Sequence, residues 1–294
     1  MQPLPISPIV DVHNHVIAPD TKAYPRDPMG GHQSAWSQER PVDGAGLLRA
    51  MQDAGVARSV VVQASTCYGH DNRYLVDAVR ACPHHFLGVG SVDLMAGDAV
   101  ERIRHWMAAG LSGLRVFVAG HTAADRSIRI DDPRANAAWA YASEQGIPVC
   151  VQLRADGLPQ LAAVLTRFPQ ATVLLDHFAR PEIDDGPPYG KASSLFALAR
   201  HPGLHFKLTT HNVRESSRGL ATQASFCKAL VETFGARRIA WGSNFPASSG
   251  SLGQLLQEAL EATATLRSED REWIFSRTAH ALYFALATLD GTAR

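Results

Sequence analysis

The run Ile-Val-Asp-Val-His-Asn-His-Val at residues 9–16 sets His13 and His15 two positions apart among β-branched side chains. Imidazole nitrogens hold metal ions, move protons or hydrogen-bond a carbonyl oxygen. Strand side chains alternate, so Asp11, His13 and His15 are expected on one face, with Val10, Val12 and Val16 on the other. The motif alone is weak: with 13 histidines in 294 residues, roughly half a His-x-His pair arises by chance. On this motif, a catalytic or metal-binding pair and two hydrogen-bonded core histidines remain equal alternatives. The ends of the later apolar runs decide between them. Those runs finish at Gln63, Asp93, Arg115, Gln152, Asp176-His177, Lys207 and Asn244. A buried polar group costs about 1–3 kcal/mol unless satisfied, so polar side chains at every strand end point to an active site. Asp93 and Gln152 also fit a structural role at the rim. Arg73, Arg180, His211 and Arg214 follow close behind strand ends, while Tyr24, His32, Tyr68, His70 and His121 occupy adjoining loops. Cys67 shows no Cys–His–Asp order and is not read as a nucleophile.

A single architecture would bring eight strand ends to one place. Apolar runs at 9–16, 59–64, 87–92, 113–118, 148–153, 172–177, 204–209 and 238–241 predict strands. Helical spacing appears at 44–54, 72–81, 98–109, 133–145, 158–168, 193–199 and 223–234. A last helix is expected at 269–286, with Ser268 as N-cap and acidic residues in its first turn. Gly55, Gly110, Gly146 and Gly235 each stand where a helix must stop before the next strand. Near-continuously apolar strands alternating with helices predict a parallel sheet covered on both faces. Its closed form is a (β/α)8 TIM barrel, here one domain over residues 1–294. The long loops 18–41 and 119–132 follow strand C-termini, the end at which barrel enzymes carry their active sites.

Composition narrows the partners. Lys plus Arg and Asp plus Glu both total 28, which argues against nucleic acid or a membrane surface. A small anion held by a local arginine cluster is still compatible with that balance. Four separated cysteines without a Cys-x-x-Cys pair suit reduced thiols in a cytoplasmic enzyme. The N-terminal residues have neither a basic nor an apolar leader pattern, and no apolar run reaches the ~18 residues of a membrane span.

The motifs DVHNH, VVVQAS followed by GHDNR, GLR, LLDHFARP and WGSNFP resemble those of the amidohydrolase superfamily. They are most similar to the branch of 2-pyrone-4,6-dicarboxylate lactonase and sugar-lactone hydrolases and isomerases. The resemblance runs in order from about Val10 to the last helix and implies a distorted amidohydrolase-like barrel acting on a cyclic ester or amide. It implies His13, His15, His177 and the strand-eight position as catalytic. It also implies Gln63, Arg73, Arg115, Arg180, Lys207, His211 and Arg214 as groups that bind a small cyclic substrate, arginines clamping its carboxylate. The departure is Asn244, which stands where the branch carries an aspartate that activates water. An amide has no proton to exchange near neutral pH and cannot be a general base, so the base falls to His177, His211 or Asp71. His13, His15 and His177 would supply three nitrogen ligands to a divalent ion, zinc first. Members of the branch also work without metal, and loss of the carboxylate weakens the case for an ion. Lactone hydrolysis is therefore the expected activity. Lactone isomerisation and metal-dependent non-oxidative decarboxylation are the alternatives within the fold, and a homo-oligomer is compatible with all three.

Overall fold

The computed structural model describes residues 8–118 and 129–283. Its strands are β1 (Ile9–Asn14), β2 (Val56–Val62), β3 (Phe86–Ser91), β4 (Gly113–Phe117), β5 (Val149–Gln152), β6 (Val173–Leu175), β7 (Leu204–Thr209) and β8 (Ile239–Gly242). They form one eight-stranded sheet in sequence order, each joined to the next in parallel. The ring closes just beyond β8. There the Asn244 N–H donates to the His13 carbonyl at 2.6 Å and the His15 N–H donates to the Phe245 carbonyl at 2.9 Å. The chain folds as a (β/α)8 barrel, distorted at this seam.

Two apolar layers hold it. Outward residues such as Leu114, Val151, Leu175 and Phe206 are buried against helices that contribute Leu47, Leu161 and Phe226. Val60, Val62, Cys150, Leu174 and Ala240 form a second cluster with Tyr283, which also lies beside Gly113, the first residue of β4. This cluster fills the barrel, and Tyr283 plugs the end opposite the active-site loops. Each fully buried aliphatic or aromatic side chain contributes about 1.5–3 kcal/mol.

β1 departs from plain alternation. Asp11 lies opposite Ser59 and Asn14 opposite Val61, so three steps of one strand match two of the other. That is a β-bulge, a device that re-aims side chains beside active sites. Val10 and Val12 join the inner cluster, whereas Asn14 Nδ2 turns the other way, to Ser59 Oγ. The carboxylate of Asp11 clamps the bulge, accepting from the backbone N–H groups of His13 and Ser243, both at 2.9 Å. The expectation that Asp11 shares a face with His13 and His15 is corrected: the bulge brings both histidines inward. A Cβ on Gly242 would lie 2.5 Å from the Cβ of His13, so only glycine fits where β8 passes.

Other boundaries shift for physical reasons. β2 starts at Val56 because it pairs there with Ile9. β6 stops at Leu175, where the backbone leaves the ladder. The helix Leu252–Ala262, capped by Ser251, follows β8, so the eighth unit's helix is not 269–286 as the spacing suggested. That later region is Ser268–Glu272, then a π-helical turn Trp273–Arg277, then Thr278–Leu282. Arg267 rather than Ser268 occupies the N-cap, and residues 284–286 lie outside the described residues, as does His121. No described helix is long and apolar enough to cross a membrane.

Candidate active site

The strand C-termini surround a cavity of about 400 Å³, within the range of small-molecule sites. His15, Arg115, Gln152, His177, Arg180 and Asn244 line it from the barrel. Met29, His32, Gln33, Ser34, Trp36 and Thr66 line it from the loops after β1 and β2. Trp36 stacks on the His15 ring with centroids 5.2 Å apart and so fixes its plane. His15 Nδ1 sits 2.8 Å from the Val62 carbonyl. A carbonyl only accepts, so Nδ1 carries the proton and Nε2 is the bare nitrogen.

His177 owes its position to an uncommon backbone. His177, Phe178, Ala179 and Arg180 have φ values of 54°, 50°, 60° and 51°, a left-handed turn of four non-glycine residues. Such a conformation costs roughly 1–2 kcal/mol per residue and persists only where the surroundings over-determine it. Phe178 stacks on Phe206 at 4.8 Å, Ala179 is fully buried, and the His177 carbonyl accepts from Arg180 N at 2.8 Å and Asn212 Nδ2 at 2.8 Å. The turn brings both His177 and Arg180 to the cavity. His177 Nδ1 meets Thr209 Oγ1 at 2.7 Å, leaving Nε2 as its open nitrogen.

Beneath these groups lies a buried charge cluster. Lys207, wholly inside the barrel, places Nζ 3.0 Å from Asp176 Oδ1 and 3.3 Å from His13 Nδ1. Asp176 also lies 3.4 Å from His13 Nδ1 and 3.7 Å from Arg115 Nη2. Burial opposes the Asp176 charge, but Lys207, His13 and Arg115 outweigh it and hold the carboxyl well below the usual carboxylate range. Burial likewise opposes the Lys207 charge, and Asp176 reverses that, so the ammonium titrates above its ordinary value. Arg115 donates to the Gln63 carbonyl at 2.6 Å and to Gln152 Oε1, so much of its donor capacity is already used. The Arg180 guanidinium, which lines the cavity, makes no hydrogen bond among the described residues, and its donors remain available to a ligand.

Other predicted groups stand elsewhere. Gln63 Nε2 donates to the Asp71 carbonyl at 2.6 Å and anchors the following loop. Arg73 pairs with Asp71 at 2.6 Å and Arg214 with Glu258 at 2.8 Å; neither lines the cavity. His211 lies one layer back, its ring 6.1 Å from His177. Of the loop candidates His32 reaches the cavity. Tyr24 binds Asp77, His70 contacts Ser91, and Tyr68 accepts from Ala18 N. Burial pushes the Cys67 thiol up, the wrong direction for a nucleophile. Thr209, Asn212, Asp11 and Trp36 emerge from the structure as supporting residues. The Thr-x-x-Asn spacing behind β7 was the one signal for two of them.

Burial lowers His15 and His177 well below 6.5, and it lowers His13 and, with help from Arg180, His211 to about 4. All four are neutral near pH 7, as proton acceptors must be. The unfolded chain binds these protons from about pH 6.5 downward and the folded chain does not. Stability is therefore undiminished above 6.5 and falls below it, by on the order of 3 kcal/mol for His13 alone once pH reaches about 4. Urea unfolding at pH 7 and pH 5 should show a lower midpoint at pH 5 with an unchanged slope; equal midpoints would contradict this.

The imidazoles of His13, His15 and His177 are of the right chemical type for zinc, but their setting is not. Among the described residues no group of three His, Cys, Asp or Glu side chains is placed to hold a metal ion. Asp176 is bound up with Lys207 and Arg115, two guanidinium groups share the cavity, and the strand-eight side chain is a neutral amide. A divalent cation does not fit this arrangement. Asn244 has φ 58°, a conformation that Asn and Asp adopt more readily than other non-glycine residues. Its Nδ2 donates to Ser248 Oγ at 3.0 Å, leaving Oδ1 without a hydrogen bond among the described residues.

Comparison with known proteins agrees with the barrel fold. L-fucono-1,5-lactonase of Burkholderia ambifaria is 30% identical over 206 residues, covering 66% of this chain and 67% of its own. A 2-pyrone-4,6-dicarboxylate hydrolase of Comamonas testosteroni is 28% identical over 256 residues, 81% of this chain and 76% of its own. A candidate 2-pyrone-4,6-dicarboxylic acid hydrolase of Pseudomonas putida superposes with a TM-score of 0.75 at 21% identity, covering 94% of this chain and 97% of that one. The amidohydrolase family model matches residues 10–285, and the chain belongs to that family.

Proposed function

We infer that the protein hydrolyses a small lactone bearing a carboxylate, with His177 as general base. One observation carries the reading: a 400 Å³ cavity is lined by the His15 and His177 imidazoles, whose Nδ1 atoms are engaged by Val62 and Thr209, together with the guanidinium groups of Arg115 and Arg180. The lactonases among the relatives support the choice of a cyclic ester. Arg180, with unused donors, takes the substrate carboxylate or the carbonyl oxygen, and Arg115 adds positive potential from beneath. Asn244 Oδ1 accepts a hydrogen bond from the attacking water and orients it. His177 Nε2 takes the proton as the water oxygen bonds to the carbonyl carbon. Negative charge collects on the former carbonyl oxygen, where the guanidinium groups stabilise it. The ring carbon–oxygen bond then breaks, and the departing alkoxide recovers the proton from His177. The product is an open hydroxy acid.

The test is a panel of five- and six-membered lactones, with and without a carboxylate, followed for acid release and isomer formation together. Acid release from a carboxylated lactone is expected, whereas rearranged lactone without acid release would establish isomerisation instead. Asn244→Asp preserves the backbone conformation and adds a second base. It should raise kcat by less than the ~10²–10⁴-fold a sole positioned base contributes, because His177 already serves as base. It should also raise KM by repelling the anionic substrate, and a fall in kcat would count against water activation at this site.

A further inference from the structure

We propose that Thr209 and Asn212, the capping box of the helix Thr210–Glu215, are positioning residues that fix which nitrogen of His177 carries the proton. The proposal rests on the reading of His177 as proton acceptor and names what sets that role. The logic is one of hydrogen-bond direction. Asn212 Oδ1 lies 3.2 Å from the Thr209 backbone N–H, which can only donate, so that amide atom is the oxygen. Asn212 Nδ2 lies 2.8 Å from the His177 carbonyl, which can only accept, so the amide orientation is fixed from both ends. Thr209 Oγ1 is 3.0 Å from Asn212 Oδ1. Two oxygens at that distance need a proton between them, and the Thr209 hydroxyl holds the only one. The hydroxyl is therefore committed to Asn212, and toward His177 Nδ1, 2.7 Å away, it presents a lone pair.

It follows that His177 must carry its proton on Nδ1 and leave Nε2 bare. The three residues form a closed circuit in which the imidazole donates to Thr209, Thr209 to Asn212, and Asn212 back to the His177 carbonyl. The same circuit that caps a six-residue helix thus anchors one residue of the left-handed turn and sets its tautomer. Neither task requires Thr209 or Asn212 to touch substrate, and neither lines the cavity.

The experiment uses the whole chain with nitrogen-15 histidine, reading the His177 ring nitrogens by NMR without ligand. Wild type should show Nδ1 protonated and Nε2 unprotonated as one species. A protonated Nε2 overturns the proposal whether or not any lactone is a substrate. Thr209→Val keeps the shape and removes the hydroxyl, so it should populate the other tautomer and lower kcat about 10–100-fold with KM little changed. Thr209→Ser should restore both. A Thr209→Val protein that keeps the wild-type tautomer and kcat would overturn the assignment. Loss of the tautomer without any wild-type lactonase activity would uphold the circuit while removing the proposed function.

Discussion

Replacing His177 with asparagine is expected to lower kcat for lactone hydrolysis by about 10²–10⁴-fold, the usual contribution of a positioned general base. Asparagine is the informative choice because His177 has φ 54°, and Asn is among the few non-glycine residues that tolerate it. The left-handed turn should survive, with Phe178 still on Phe206, and so should the position of Arg180. What disappears is the Nε2 lone pair. KM should change little, since the substrate carboxylate is assigned to arginine. Steady-state kinetics beside a circular-dichroism check of folding would measure this, and a kcat close to wild type would remove His177 from the mechanism.

The second large effect is on stability. Lys207→Met keeps most of the side-chain volume but strips the ammonium from Asp176, which is fully buried. Removing one partner of a buried ion pair costs about 3–5 kcal/mol, because the remaining charge is left short of compensation. His13 and Arg115 still face Asp176, at 3.4 Å and 3.7 Å, so the loss should lie toward the lower end. Adding Asp176→Asn removes the stranded charge and should recover part of it. Urea unfolding of the two single variants and the double variant gives the coupling directly. If the double variant merely summed the single losses, Lys207 would be holding the barrel by packing alone.

Much of this molecule was legible in its sequence because barrel strands buried on both sides must be apolar along their length. The (β/α)8 order followed from eight such runs, and the site followed from the polar residues that end them. His15, Arg115, His177 and Asn244 stand at those ends, Arg180 follows three residues past His177, and all line one cavity. What alternation misjudged is how His13 and His15 turn inward, because a bulge leaves no period-two trace. Arg73 and Arg214 illustrate a second limit: a cation near a strand end is equally suited to a neighbouring carboxylate, and Asp71 and Glu258 take them. The left-handed turn at His177–Arg180 was invisible because none of its residues is glycine, and burial of Phe178 and Ala179 sustains it instead. The helix Leu252–Ala262 had a readable pattern in Leu252, Leu255, Leu256 and Ala259. A later segment with helical spacing and an acidic start competes with it for the place of the eighth helix.

Under the proposed mechanism, water deprotonated by His177 opens a lactone ring in a site whose strand-eight position is an amide. Turnover of a carboxylated lactone in water enriched in heavy oxygen, with the product analysed by mass spectrometry, tests this most directly. One heavy oxygen in the newly formed carboxylate of the hydroxy acid is the predicted result, and His177→Asn should form that labelled product about 10²–10⁴-fold more slowly. A rearranged lactone carrying no label, or label appearing at an undiminished rate in His177→Asn, would contradict it.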